Sequence, residues 1–186
     1  MEIIIQPSDR LENDILNLLI ESISKEFVNS KVTVNPLMKY NIHDFISKRR
    51  NQLRSTDFLL WSLEKLKPTN EIKILVICDI DAYSGDLNFV FGEAYKGGRI
   101  AAIYLPRLRQ EFYGLESNKL VFHERIIKEA IHELGHTFGL FHCNNKLCVM
   151  HFSNSLYDTD IKEKRFCLDC KNKLVLERKD SFYQAR

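Results

Sequence analysis

The chain has 186 residues, with 27 basic and 25 acidic side chains and a formal net charge of +2 at pH 7. This length suits one domain that can bury a core without disulfide bonds. Neither sign of charge is gathered into a long block, so the composition gives no electrostatic reason to expect binding to nucleic acid or to an anionic membrane.

The amino terminus and the cysteine content indicate the compartment. The opening segment, MEIIIQP, lacks the basic start and the apolar length of a secretory signal. Apolar runs elsewhere are broken by charge well before the ~20 residues that a membrane-spanning helix needs. We therefore expect a cytoplasmic protein, in which the five cysteines stay reduced and a cluster of them points to metal binding or catalysis.

Four elements are predicted in the first third of the chain. Residues 1–6 are apolar and predict a strand, and residues 31–35 alternate like a second one. Between them, residues 11–27 show apolar side chains at helical spacing, with Ser8 as the predicted cap. Residues 42–66 are apolar at intervals of three and four, which predicts one helix or two.

The middle of the chain predicts the centre and one edge of a sheet. Residues 72–80, IKILVICDI, are dense in branched aliphatic side chains and predict a strand buried on both faces, with Cys78 as a small core residue. Residues 87–91 and 99–105 predict two further strands, joined through Gly97 and Gly98 as a hairpin at the sheet edge.

A helix over residues 120–139 carries the most informative motif. Its apolar residues recur on one face, and Gly139 is predicted to end it. Beyond it there is little apolar periodicity until residues 168–182, which predict a short closing helix.

His132 and His136 are four residues apart on this helix. Four residues of α-helix turn about 400°, so both imidazoles lie on one face and can bind one metal ion. Glu133 points about 100° away, too far round to be a close ligand but well placed to contact a water on the metal. It is the candidate general base.

A third ligand requires the helix to end, because a residue six positions beyond His136 would otherwise lie about nine ångströms along the axis. Gly139 can adopt the left-handed conformation that turns the chain back, and His142 follows it by three residues. Three histidines leave one open position on a tetrahedral zinc, which is typical of catalytic sites. His43, His123 and His151 lack such spacing and are interpreted as surface or core residues.

The string HELGHTFGLFH resembles the HExxHxxGxxH signature of the metzincin metallopeptidases at every fixed position. The resemblance implies that Met150 packs beneath the zinc as part of a methionine-containing turn. Some metzincins place a tyrosine two residues after this methionine, but here the position is Phe152. A hydroxyl that assists the reaction would have to come from elsewhere, and Tyr157 and Tyr83 are the candidates.

Four cysteines follow the histidines as two pairs, Cys143 with Cys148 and Cys167 with Cys170. These spacings let four thiolates surround one zinc in a closed structural site. Side chains of adjacent residues leave an extended segment on opposite sides, so His142 and Cys143 can serve separate ions. The alternatives are ordinary buried thiols or a redox pair, although a redox pair is expected beside a βαβ unit.

The combined pattern, HExxHxxGxxHC with a later CxM and CxxC, is similar to the archaemetzincins, most specifically over residues 130–170. The resemblance implies an α/β (α+β) fold, in which a metzincin-like mixed twisted sheet packs with an active-site helix and a cysteine-zinc subdomain lies near the C terminus. It implies two zinc ions, one catalytic on His132, His136 and His142, and one structural on Cys143, Cys148, Cys167 and Cys170. We expect one peptidase domain over residues 1–186. Residues 1–139 would form the sheet and the active-site helix, and residues 140–186 would contain the third histidine, the methionine turn, the four-cysteine zinc site and a C-terminal helix.

The predicted function is a zinc-dependent metallopeptidase, a monomer acting on peptides or proteins, with Glu133 taking a proton from the attacking water. The alternative is a zinc-stabilised module that binds peptides without cutting them, although such a module has no need of Glu133 or of an open metal position. A zinc ribbon that contacts nucleic acid would need a basic surface, and IKEKR at residues 161–165 offers only a short one.

Overall fold

The computed structural model describes residues 1–174. Its elements are, in chain order, β1 (Glu2–Pro7), α1 (Asn13–Glu26), β2 (Lys31–Val34), β3 (Ile46–Ser47), β4 (Gln52–Arg54), α2 (Ser55–Leu66), β5 (Ile72–Cys78), β6 (Ala82–Tyr83), β7 (Gly92–Ala94), β8 (Ile100–Tyr104), α3 (Lys119–Thr137) and α4 (Leu156–Ile161). Short 3-10 turns occupy Ile42–Asp44, Pro106–Leu108 and Gln110–Tyr113.

A five-stranded sheet in the order β2-β1-β5-β8-β7 forms the centre of the molecule. Its first four strands are parallel, and β7 pairs antiparallel with β8 at one edge. A smaller sheet, β3-β4-β6, lies separately. The mixed sheet and its helices confirm the predicted α/β (α+β) class.

The two faces of the central sheet carry separate cores, because side chains alternate along each strand. Leu75 and Ile77 of β5 join α1 and α3 in one core. Val76 and Cys78 join α2 in the other. Cys78 is fully buried there, which confirms its predicted core position.

Helix α3 begins and ends where the sequence predicts. The side chain of Asn118 accepts a hydrogen bond from the backbone N–H of Val121 (3.1 Å), which caps the first turn. At the other end, Gly139 has a φ of +87°, and its N–H donates to the carbonyl of His136 (2.9 Å). The chain therefore leaves the helix in the direction that brings residue 142 back towards it.

Of residues 42–66, predicted to form one helix or two, only Ser55–Leu66 is α-helical. The first part forms β3, β4 and a turn in which Asn51 has a φ of +53°. Leu53, which is fully buried, pairs with Ala82 of β6. Pairing with a strand distant in the sequence therefore overrides the local helical spacing.

Ser8 does not cap α1, contrary to the prediction. The helix starts later, after Glu12, without a side-chain cap. The Ser8 hydroxyl instead donates to the carbonyl of Ile77 (3.0 Å), which extends the contact between β1 and β5. In the predicted closing helix, residues 168–174 are helical. The rest of that helix lies outside the described residues.

The hairpin at the sheet edge exists, but its strands differ from the prediction. Residues 87–91 form a loop, and the outer strand is Gly92–Ala94. Strand β8 lies between β5 and β7, so of the two hairpin strands β7 is the one at the sheet edge. Apolar side chains in the loop follow from packing, since Phe89 and Phe91 stack edge to face with ring centroids 5.1 Å apart. No helix within residues 1–174 has the length and apolar character needed to cross a membrane.

Candidate active site and cysteine cluster

Helix α3 presents His132 and His136 on one face with their Nε2 atoms 3.1 Å apart. The Nδ1–H of His132 donates to the carbonyl of Val149 (2.8 Å), and that of His136 donates to the carbonyl of Leu140 (2.7 Å). These bonds leave both Nε2 lone pairs available to a metal. Tetrahedral ligands 2.0–2.1 Å from zinc lie about 3.3 Å apart, so the observed spacing fits a zinc ion.

His142 completes the cluster from the segment that follows the helix. One ring nitrogen from each of the three histidines lies within 4.8 Å of the others. The ring of His142 is exposed on one side and packs against Phe152, with ring centroids 5.0 Å apart. The three residues singled out by spacing therefore meet at one point, as the turn at Gly139 requires.

Burial keeps these imidazoles neutral. It lowers the pKa of His132 well below its ordinary value and lowers the pKa of His136 to about 4. Burial also lowers the pKa of His142, and the nearby ammonium of Lys162 adds to the effect. The neutral imidazole is the form that binds a metal, so no proton has to be displaced near pH 7.

Glu133 lies beside the cluster and is 5% exposed. Burial raises the pKa of its carboxyl group well above the ordinary value, and Glu129 raises it further, whereas Lys162 lowers it. Its side chain approaches Gly92 of β7, where a Cβ atom would lie 2.5 Å from the Cγ atom of Glu133. A side chain at position 92 would therefore displace the carboxylate.

A buried ion pair next to Glu133 was not anticipated from the sequence. Lys162 Nζ lies 2.9 Å from Glu129 Oε1, and the two side chains are 0% and 3% exposed. Thr159 also donates to Glu129 Oε1 (3.3 Å). Glu129 is one helical turn before Glu133, which helical spacing could have indicated, but nothing in the sequence pairs it with Lys162.

A cleft of about 370 Å³ contains the cluster. The loop before β7 and β7 itself form one wall, and the segment after Met150 forms another. Its lining comprises Ser84, Leu87, Phe89, Val90, Phe91, Gly92, Glu93, Ala94, Lys96, Glu129, His132, Glu133, His136, Phe141, His142, Phe152, Ser153 and Asn154. Neither Tyr157, which is 73% exposed, nor Tyr83 is among these residues. The hydroxyl groups in the lining belong to Ser84 and Ser153.

Met150 is fully buried under the helix. A Cβ atom on Gly135 would lie 2.5 Å from its sulfur, so the glycine inside the motif makes room for it. Its carbonyl accepts a hydrogen bond from the N–H of Cys143 (2.9 Å). The methionine segment and the segment with the third histidine are thereby joined.

Cys143, Cys148, Cys167 and Cys170 form a second cluster, whose sulfur atoms lie within 4.8 Å of one another. Cys143 and Cys167 have sulfurs 3.8 Å apart, close to the ~3.8 Å expected for two thiolates on one tetrahedral zinc. The N–H of Cys167 also donates to Cys148 Sγ (3.3 Å), a contact that suits a thiolate. The four cysteines therefore fit a closed zinc site, separate from the histidines.

The remaining histidines lie outside both clusters. His43 is exposed, and His123 is buried at 8% exposure. His151 is partly buried, and its Nδ1–H donates to the carbonyl of Cys143 (2.9 Å). None of the three belongs to a group that could hold a metal among residues 1–174.

The chain that carries these two clusters is similar to proteins of one known family. The sequence profile of Peptidase family M54 matches residues 16–176. The chain is similar to the archaemetzincin of Methanocaldococcus jannaschii, with 44% identity over 94% of this chain and 93% of that protein. It is similar to that of Pyrococcus furiosus at 38% identity, over 92% of this chain and 91% of that protein.

Two solved structures share the fold. A crystal structure of archaemetzincin from Methanopyrus kandleri has a TM-score of 0.81 and 32% identity, and covers 96% of each chain. One from Archaeoglobus fulgidus, complexed with malonate, has a TM-score of 0.76 and 36% identity, over 93% of this chain and 99% of that one.

Proposed function

We propose that this chain, which belongs to Peptidase family M54, the archaemetzincins, and is a zinc metallopeptidase, hydrolyses peptide bonds at the histidine cluster. In this proposal Glu133 is the general base, and the four cysteines bind a second, structural zinc. The observation that carries this proposal is the convergence of three histidine nitrogens within 4.8 Å, inside a cleft that also holds Glu133.

His132, His136 and His142 are the proposed ligands of the catalytic zinc. Zinc held by three neutral imidazoles supplies a Lewis acid that lowers the pKa of a water molecule towards neutrality and polarises a carbonyl group. The carbonyl groups of Val149 and Leu140 fix the orientation of the first two rings. This support keeps the site preorganised before the substrate arrives.

Glu133 is the proposed general base. Its carboxylate accepts a proton from the attacking water and passes it to the departing amine. Burial raises its pKa, so it binds a proton more readily than a solvent-exposed glutamate does. A carboxylate that is too acidic would be a poor acceptor, and one that stays protonated would not act as a base.

The substrate is proposed to lie along β7, the outer strand of the hairpin. Strand β7 pairs with β8 on one side only, so its outer backbone groups face away from the sheet. An extended peptide can add to such an edge through main-chain hydrogen bonds. Gly92 of β7 touches Glu133, so a peptide on this edge passes next to the general base.

The cysteine cluster is proposed to hold a structural zinc, because four thiolates leave no open position for water. It supports the active site through the chain itself, since Cys143 directly follows His142 and its N–H bonds to the carbonyl of Met150. We further infer that residues 1–186 act as one domain and as a monomer. In support of one domain, the core that contains Ile3 and Ile5 of β1 also contains Cys148 and Cys170.

The test combines zinc analysis with digestion of a peptide library on one preparation. We expect cleavage by the zinc-loaded protein, and a fall in rate of about 10²- to 10⁴-fold for Glu133→Gln without loss of bound zinc. Glu116→Gln, an exposed position with the same chemical change, is the matched control. Full activity of Glu133→Gln would contradict the mechanism. Bound zinc without any cleavage by the wild-type protein would favour the binding-module alternative.

A further inference from the structure

Two buried polar atoms in the wall of the cleft have no hydrogen-bond partner. Four such side-chain atoms occur within residues 1–174, and two of them, Glu93 Oε2 and Ser153 Oγ, belong to residues of the cleft lining. Leaving a buried polar atom unpaired is costly, so each instance calls for an explanation. In a binding cleft, a ligand that donates a hydrogen bond can supply such a partner.

Glu93 is the middle residue of the edge strand β7. Its Oε1 atom accepts hydrogen bonds from the hydroxyls of Thr56 (2.8 Å) and Ser84 (3.1 Å). These two donors come from α2 and from the end of β6, so one oxygen of the carboxylate is held by two different elements. The carboxylate is therefore fixed in place, while its second oxygen, Oε2, stays unpaired.

The charge of Glu93 is also unmatched. Its partners are two neutral hydroxyls, and it forms no ion pair in the part of the chain that the structure describes. Of the other two carboxylates in the cleft lining, Glu129 is paired with Lys162 (2.9 Å), and Glu133 is the proposed general base. The cleft lysine, Lys96, has its Nζ over the ring of Phe141, 3.1 Å from the centroid. Glu93 is thus a carboxylate without a cation, on the strand proposed to bind the substrate.

We propose that Glu93 is a specificity-determining residue that binds a positively charged group of the peptide substrate. An ammonium or guanidinium group donates charge-assisted hydrogen bonds to a carboxylate, which satisfies both the unpaired oxygen and the unmatched charge. This inference rests on the proposed function. The group can come from a lysine or arginine side chain or from a free N-terminal ammonium, and the experiment separates the two sources.

The probe is a series of peptides of one sequence, in which a single lysine is moved through successive positions and compared with norleucine at the same position. Each peptide is made with a free and with an acetylated N terminus. We expect the zinc-loaded protein to prefer lysine at one position, or a free N terminus, by about tenfold or more in kcat/KM. Glu93→Gln should abolish that preference, measured within the variant as the ratio of kcat/KM for the lysine and norleucine peptides and for the free and acetylated ones.

Two further variants test whether the effect is specific. Glu64→Gln removes one carboxylate from the exposed side of α2 and should keep the preference. Thr56→Val keeps the charge of Glu93 but removes one of the donors to its Oε1 atom, so it should reduce the preference in part. Thermal unfolding of each variant checks that the fold is retained.

Binding is measured as well, by calorimetric titration of the same peptides into Glu133→Gln and into Glu93→Gln/Glu133→Gln, both zinc-loaded. A cation preference that requires Glu93 supports the inference even if the wild-type protein cleaves nothing, an outcome that would sink the peptidase proposal alone. Cleavage without any cation preference, or a preference that persists in Glu93→Gln, overturns the inference and leaves the peptidase proposal intact.

Discussion

Gly92 and Glu133 are in contact across the boundary between the sheet edge and the active-site helix. A Cβ atom at residue 92 would lie 2.5 Å from Cγ, 2.6 Å from Oε1 and 2.7 Å from Cδ of Glu133. Three atoms of the carboxylate side chain therefore occupy the space that any other residue at position 92 would need. The glycine sets how closely the proposed general base can approach the strand on which the substrate is proposed to lie.

Gly92→Ala should therefore impair catalysis while zinc remains bound. The added methyl group displaces the Glu133 carboxylate, and a small displacement of a reacting group can cost about 10²-fold in rate. The measurement is kcat/KM together with the zinc content. A double-mutant cycle of the free energy of unfolding supplies the control. Gly92→Ala should also destabilise the fold, and this loss should largely disappear in a Glu133→Ala background, where the atoms that clash are absent. Equal destabilisation in both backgrounds would contradict the contact.

Metal content should separate the two clusters. We expect two zinc ions per chain for the wild-type protein after exhaustive dialysis, and one for His142→Ala and for Cys170→Ser. Loss of the cysteine zinc should lower the thermal unfolding temperature more, since structural zinc sites contribute directly to folding. Cys78→Ala removes the cysteine that lies in the core under α2 and should keep both ions. One zinc in the wild-type protein would refute this assignment.

The zinc-free protein should lose stability in acid. The pKa of His136 is about 4 in the folded state against an ordinary value of 6.5, so between these values the unfolded chain binds a proton that the folded chain does not. The free energy of unfolding then keeps its full value above about pH 6.5. Below that pH it falls by about 1.4 kcal/mol for each pH unit, until about pH 4. His132, whose pKa is also lowered by burial, acts in the same direction.

Urea denaturation of the zinc-free protein at several pH values measures this slope. His136→Gln cannot take up the proton, so its stability should fall less steeply over the same interval. A wild-type slope no steeper than that of the variant would show that burial of His136 does not govern the acid sensitivity.

Lys73 connects the β7–β8 hairpin to the end of α3. Its buried ammonium donates to the carbonyl of Gly98 (2.6 Å) at the tip of the β7–β8 hairpin and to that of Thr137 (2.9 Å) at the end of α3. Lys73→Met keeps the apolar stem but leaves both carbonyls unpaired, at a cost of about 1–3 kcal/mol in unfolding free energy. Because the hairpin can then move relative to the helix, KM should rise.

The matched control for this change is Lys65→Met, at an exposed position near the end of α2. Chemical denaturation and steady-state kinetics on both variants test the prediction. If Lys73→Met is destabilised but binds substrate as the wild-type protein does, the residue supports the fold without setting the position of the edge strand.

Much of the candidate site follows from local geometry. The spacing of His132 and His136 places both on one face of any α-helix. Gly139 can end that helix through its own backbone conformation, whatever the fold of the rest of the chain. The pairing of cysteines and the buried strand at residues 72–78 are also local patterns. These features are predictable because a few consecutive residues with fixed backbone periodicity determine them.

The helical prediction for residues 42–66, one helix or two, failed in its first half for the opposite reason, whereas Ser55–Leu66 is helical. Its apolar residues at helical spacing include Leu53, which is buried by a strand pairing to Ala82. A spacing pattern records which side chains are apolar, but it does not record which distant segment will cover them. The same limit applies to residues 87–91, where apolar alternation belongs to a packed loop.

The sequence by itself determined which residues can bind metal, where the active-site helix stops, and which family the pattern resembles, because these depend on spacing along the chain. Only the tertiary structure decided that β7 is the outer strand, that Gly92 touches Glu133, and that Lys162 pairs with Glu129. Each of these joins segments far apart in sequence, and their meeting is set by how the sheet and helices pack as a whole.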